Sequence, residues 1–170
     1  EGLAVSRLEF RPGERVAIIG GVGSGKTTLI RLMSGIFQAQ RGTAKIGGLE
    51  LTQIADDVLR QHIGYLPQDY RLINGTLRDN LLLGIARPSD QAVMDAARQT
   101  GLIQLISAHP LGLDLPIQEG GRGLSGGQRS LVGLTRLLLA APRFWLLDEP
   151  TANLDQTTEA AVRGALDKAL

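Results

Sequence analysis

Residues 20–28 read GGVGSGKTT, and no other stretch restricts the fold as much, because it matches GxxxxGK[ST] at Gly20, Gly25, Lys26 and Thr27. A chance match in a chain this long is on the order of one per cent, somewhat more in a glycine-rich one. Glycines lack a Cβ, so the backbone can turn with positive φ and aim consecutive N–H groups at an anion. Residues 26–34 read as a helix whose N-terminal partial positive charge faces the same anion. In such a cradle a lysine reaches the β- and γ-phosphates and the Thr27 hydroxyl takes a place on Mg²⁺. The bland alternative is a glycine-rich turn that happens to carry a lysine. What separates the two is context, since a cradle needs a strand before it and a helix after it.

That context is legible on both sides. Leu3, Val5, Leu8 and Phe10 alternate as in a half-buried strand, residues 11–14 read as a turn, and residues 15–19 read as a buried strand. After the helix, for which Gly35 is the expected stop, residues 43–46 and 49–51 flank Gly47-Gly48, a two-residue hairpin signal. Residues 63–66 suggest a short buried strand ending at Pro67-Gln68-Asp69. From Thr76 to about Ala108 the pattern turns helical, with Leu77, Leu81 and Leu82 on one face, Ser89 as a cap and Gly101 as a stop. A glycine-rich loop leads into a helix over 125–139, then a buried strand over 144–147 and a last helix from about Thr157. Strands alternating with helices predict an α/β fold with a parallel sheet whose sites lie at the strands' C-terminal ends. The hairpin adds an antiparallel element, and the helical run adds an insertion.

Composition excludes several functions. The 170 residues match one domain; 43% are apolar and 21% charged, as in an ordinary globular protein. A net charge of +1 with no basic run gives no footprint for nucleic acid, and the lack of cysteine removes disulfides and thiolate metal sites. No run of about 18 apolar residues is present to span a bilayer.

Two further stretches carry chemistry. The apolar residues 144–147 run into Asp148-Glu149, so both acids emerge at the end of a strand. An Asp there can hold Mg²⁺, and a neighbouring Glu can orient and deprotonate a water; two acids can also simply end a strand at the surface. Leu124-Ser125-Gly126-Gly127-Gln128 contains a capping box, Ser followed three residues later by Gln. The box does not explain the glycines, which lower helix propensity by roughly 1 kcal/mol each relative to alanine. Their presence suits a backbone that must approach an anion, giving a second phosphate-binding helix start. His62 and His109 follow neither acid and read as structural or exposed.

Taken in order, GGVGSGKTT, PQD, LSGGQ, LLDEP and ANLD resemble the nucleotide-binding domain of ATP-binding cassette (ABC) proteins over essentially the whole chain. The resemblance implies a P-loop NTPase fold: a parallel sheet core with an antiparallel β subdomain over about 1–70 and 124–170, and an inserted α-helical subdomain over about 71–123. It implies that Gly20, Gly21, Val22, Gly23, Ser24, Gly25, Lys26, Thr27 and Thr28 hold ATP. Thr27, Gln68 and Asp148 would serve Mg²⁺, and Glu149 would be the catalytic base, with Gln68 and Lys26 beside the reacting atoms. Ser125, Gly126, Gly127 and Gln128 would face ATP held by a second copy in a head-to-tail homodimer, with Asp155 at that seam. Asp155 could also merely cap the last helix, and Gln68 could be an ordinary turn residue.

Asn153 stands where the family usually has alanine, and Ser130 where glutamine is frequent. The family's switch histidine and adenine-stacking aromatic have no counterpart in these 170 residues. The ends read as those of a fragment, expected to bind ATP weakly and hydrolyse it slowly by itself. Residues 74–84 and 118–123 resemble the exporter form, which implies a transmembrane domain on the same or an associated chain and a place on the cytoplasmic face of a membrane. The wording NGTLRDNLLLG and EGGRGLSGGQR is most similar to ATPases of bacterial type I protein secretion, hence a bacterial inner membrane. A lipid or multidrug exporter, or a soluble ABC ATPase acting on nucleic acid or ribosomes, are the other readings.

Overall fold

The computed structural model describes residues 3–86, 88–152 and 154–169. The chain divides into two compact units, one up to Ile63 and one from Gly64 onward.

In the first unit the cradle leads directly into helix α1 (Lys26–Met33), which ends at Ser34 with Gly35 at φ +79°, a left-handed stop. Strands β1 (Lys45–Ile46) and β2 (Leu49–Glu50) pair antiparallel, and Gly47 and Gly48 turn between them with φ of 57° and 84°. Only glycine adopts two consecutive positive φ values cheaply, which is why this hairpin could be read from the sequence. Helix α2 (Asp56–His62) follows a short 3₁₀ turn. The strands expected over 3–10 and 15–19 are not formed. Val16 is 54% and Ile19 94% exposed, and no strand lies alongside them among the described residues. A strand exists only through a ladder partner, so an apolar run without one stays irregular.

The second unit is built on β3 (Ile63–Leu66), whose first residue closes the first unit, and which pairs parallel with β6 (Phe144–Leu147). Between them come β4 (Gly75–Thr76), α3 (Leu77–Leu82), α4 (Asp90–Thr100), α5 (Ile103–Ala108), β5 (Pro116–Ile117) and α6 (Gly126–Ala140); α7 (Gln156–Ala169) closes the chain. Antiparallel pairing of β4 with β5 ties the start of the helical segment to its end. Local signals start and stop these helices. The Thr76 and Ser89 hydroxyls accept from Asp79 N–H and Ala92 N–H, and Gly101 ends α4 at φ 85°.

α4 packs on α6 and α7, and α3 on α6. Leu77, Leu81, Val93, Leu102, Val132 and Val162 have at most 1% exposure in that core, each side chain contributing about 1.5–3 kcal/mol relative to exposure. Strand β6 has the predicted length but is only half-buried, with Leu146 alone fully covered. Gly64 has no room for a Cβ against Leu137 and Pro142, which brings β3 directly under the end of α6. No helix among the described residues is long and apolar enough to cross a membrane.

Candidate active site

The cradle lies in the first unit. Gly23 and Gly25 have φ of 80° and 90°, and a Cβ on Gly20 would meet Ser24 Oγ at 2.6 Å. Gly25 is also the N-cap of α1, and no side chain caps that helix start. An α-helix leaves its first N–H groups without intrahelical partners, and here no side-chain cap takes their place. Lys26 Nζ donates to the carbonyls of Gly20 at 2.7 Å and Gly21 at 3.0 Å. The ammonium is therefore held over its own loop, Val22 stands fully exposed at the tip, and Thr27 follows on the first turn.

The second unit holds the remaining site residues, and it brings two of them together. Asp148 N–H donates to Leu66 O at 3.0 Å, extending the β3–β6 ladder by one step. That step sets the residues after each strand side by side, and Gln68 Nε2 donates to Glu149 Oε2 at 2.7 Å. Glu149 has φ 50°, one of two non-glycine residues in the left-handed region among those described, the other being Ala141 behind α6. Such a backbone stores about 1–3 kcal/mol and recurs where a side chain must be aimed. Asp148 is 4% exposed and its Oδ2 is buried without a hydrogen-bond partner. A carboxylate oxygen left so is costly and fits a cation or a metal-bound water. Mg²⁺ typically takes one or two carboxylates together with substrate phosphates and water.

At the start of α6, Ser125 Oγ accepts from Gln128 N–H at 3.1 Å and Gln128 Oε1 accepts from Ser125 N–H at 2.9 Å. The capping box is thus formed, while the serine hydroxyl proton and the glutamine NH₂ remain chemically able to donate. Arg129 Nη1 donates to Leu124 O at 3.0 Å and steadies the loop before the box. Asp155 caps α7: its Oδ1 accepts from Thr158 N–H at 3.0 Å and its Oδ2 from Thr158 Oγ1 at 2.7 Å. The Thr158 hydroxyl, then its N–H, hold the Asp155 carboxyl below the usual carboxylate range. His62 Nδ1 lies 2.9 Å from Val58 O and His109 Nδ1 accepts from Leu111 N–H, both local contacts. Asn153 lies outside the described residues.

A model of the family described as "ABC transporter" matches residues 3–152. The chain belongs to the ABC transporter family. Membership carries ATP binding with it and the α/β ABC ATPase fold, here with the parallel β3–β6 pair, small antiparallel sheets and a helical region. ATP-binding cassette sub-family B member 6 of Xenopus tropicalis is 38% identical over 157 residues, covering 92% of this chain and 18% of that protein. The type I secretion system ATP-binding protein PrsD of Rhizobium meliloti (strain 1021) is 40% identical over 166 residues, covering 96% of this chain and 28% of that protein. The structure of a bacterial Atm1-family ABC exporter with ATP bound superposes with a TM-score of 0.82 at 30% identity, over 87% of this chain and 26% of that one. The chain is therefore an ABC ATPase domain of exporter type and spans under a third of the relatives it matches.

Sequence reasoning singled out Gln68 and Glu149 separately and missed that they bond to each other. The signal was two short apolar runs with a polar pair shortly after each, Gln68-Asp69 beyond Pro67 and Asp148-Glu149 directly, which a parallel pairing would bring close.

Proposed function

We propose that this domain hydrolyses ATP to drive export across a membrane, with Glu149 as the general base. The observation that carries the reading is the Gln68–Glu149 bond at the ends of two paired strands, beside a buried, unpartnered Asp148 oxygen. The Gln68 amide holds the Glu149 carboxylate in one orientation and leaves its second oxygen to accept a proton from water. Lys26 and the loop N–H groups bind the phosphates, and the uncapped start of α1 favours the same negative charge. Thr27, Gln68 and Asp148 are the residues that would hold Mg²⁺, which when bound neutralises charge on the phosphates.

Ser125, Gly126, Gly127 and Gln128, with Asp155, would serve ATP carried by a second copy, so that binding closes a head-to-tail dimer and hydrolysis reopens it. A transmembrane domain on the same or an associated chain would convert that cycle into movement, because differential affinity for open and closed states is what shifts such an equilibrium. On this reading the domain would work at the cytoplasmic face of a membrane.

For cargo we propose protein secretion of the type I class at a bacterial inner membrane, supported by the wording of residues 74–84 and 119–129 and by likeness to PrsD. Nearly equal likeness to the sub-family B member 6 protein keeps other exporter cargo as the second reading. The parent reading frame tests the transport branch: membrane spans, or a partner subunit carrying them, support it, and their absence favours a soluble machine.

The catalytic assignment is tested by Glu149→Gln in the intact protein. General-base catalysis contributes about 10²- to 10⁴-fold, so ATP turnover should fall by that order while ATP still binds and an ATP-dependent dimer accumulates in sedimentation. Unchanged turnover would remove Glu149 as the base.

A further inference from the structure

Gln68 is exposed on a loop, yet it can aim Glu149 only if that loop keeps one conformation. Two residues on, the Tyr70 ring is seated against α6 at Gly133, where a Cβ would lie 3.0 Å from ring atom Cγ and 3.1 Å from Cδ1. An alanine Cβ there would meet Leu66 Cδ1 first, at 2.6 Å, and would crowd the ring as well. The tyrosine hydroxyl accepts from Arg136 Nη1 at 3.2 Å, a residue one turn further along the same helix. Leu72 then anchors the loop, 3% exposed, with its carbonyl accepting Gly120 N–H at 2.9 Å. Buried Asn80 accepts from Ile73 N–H at 2.9 Å and donates to Ile73 O at 3.0 Å. Leu72 and Asn80 are sealed into the core, whereas Tyr70 and Arg136 are only half-buried. That pair joins the loop to the helix whose first turn carries Ser125, Gly126, Gly127 and Gln128.

We propose that Tyr70 and Arg136 are positioning residues for Gln68. They latch its loop to α6, so the attitude of the Ser125 helix start is passed to the amide that holds the catalytic carboxylate. This rests on the assignment of Gln68 and Glu149 above. A merely structural role would lower stability without selecting kcat. A positioning role acts through Gln68 and disappears when Gln68 is absent.

The test measures ATP turnover by the intact parent protein carrying Tyr70→Phe, which keeps the ring and removes one hydrogen bond. The expected fall in kcat is about two- to tenfold, the range of one such bond, with the KM for ATP unchanged. Arg136→Met should reproduce it, and the two together should be no slower than either. In a Gln68→Ala background, Tyr70→Phe should have no further effect. The latch is overturned if Tyr70→Phe leaves kcat unchanged while Gln68→Ala lowers it. It is equally overturned if the two effects multiply, or if the loss falls on KM. Should Gln68→Ala itself leave kcat unchanged, the assignment of Gln68 fails first and the latch falls with it.

Discussion

The proposed function gives two helix starts in this protein the same kind of task, and they are built in opposite ways. α1 begins at Gly25, in a left-handed conformation, with no side-chain cap and with its lysine bonded back to the loop carbonyls of Gly20 and Gly21. α6 begins at Ser125 with a reciprocal capping box that occupies the N–H of Gln128 and of Ser125 itself. The first start leaves its donors to be served from outside, so an anion there gains the full value of the backbone N–H groups and the helix dipole. The second is largely self-sufficient. It can fold without ligand and still offer the N–H groups of Gly126 and Gly127, together with the remaining Ser125 and Gln128 donors. On the proposed reading, α1 is where ATP would be retained and α6 would be a preformed lid edge.

The contrast can be broken first at Lys26. Hydrogen bonds to charged groups are worth about 1.5–3 kcal/mol, so Lys26→Ala should weaken ATP binding about ten- to hundredfold by titration. Without ATP its thermal midpoint should fall only slightly, through the loss of two exposed bonds to the loop carbonyls, and the rise that ATP gives the wild type should shrink. A cradle that bound ATP equally well without the lysine would end the comparison.

A smaller effect sharpens the other side. Replacing an N-cap serine by alanine costs about 1 kcal/mol and by glycine only a few tenths. Ser125→Ala should therefore lower thermal stability and Ser125→Gly barely so. If the Ser125 hydroxyl also touches nucleotide held by a second copy, both variants should lose turnover in the intact protein to a similar degree. Turnover that follows stability alone would reduce Ser125 to a cap.

The smallest effect concerns the third helix start, α7, where Asp155 provides an ionised cap. Its folded carboxyl lies below the ordinary value through bonds from the Thr158 hydroxyl and N–H. Folding therefore gains stability that is fully present above the unfolded carboxylate pKa and lost as pH falls through the lower folded one. Acid unfolding profiles of wild type and Asp155→Asn should coincide near neutrality in slope and diverge only below about pH 4.

What could be read in advance followed the range of the interaction that decides it. The Gly47-Gly48 hairpin, the Ser89 and Gly101 ends of α4 and the Ser125–Gln128 start of α6 depend on residues within four positions of each other, and all three formed as expected. α2 was not anticipated, because Ala55 precedes it without a side-chain cap and DDVLRQH carries few apolar residues. The β4–β5 pair is two residues long on each side and joins segments far apart in sequence, leaving almost no periodicity to detect. Residues 15–19 erred the other way: Val16, Ile18 and Ile19 have the composition of a strand but no ladder partner. In the site, residue types were legible while adjacency was not. The meeting of Gln68 with Glu149 depends on the β3–β6 register, and the seat of Tyr70 on a helix glycine that reads as an ordinary weak point in α6.

The left-handed backbone at Glu149 also limits how this position can drift. The proposed general base asks for a carboxylate there, whereas a φ of 50° is most comfortable for glycine, asparagine or aspartate. Aspartate alone meets both demands, and it is one methylene short of reaching a neighbour that Glu149 now meets at 2.7 Å. Substitutions that relax the backbone therefore withdraw or delete the carboxylate, and those that keep side-chain length keep the strain. The sequence neighbourhood of a working enzyme is consequently narrow at this residue, with easier folding and retained catalysis lying in different directions.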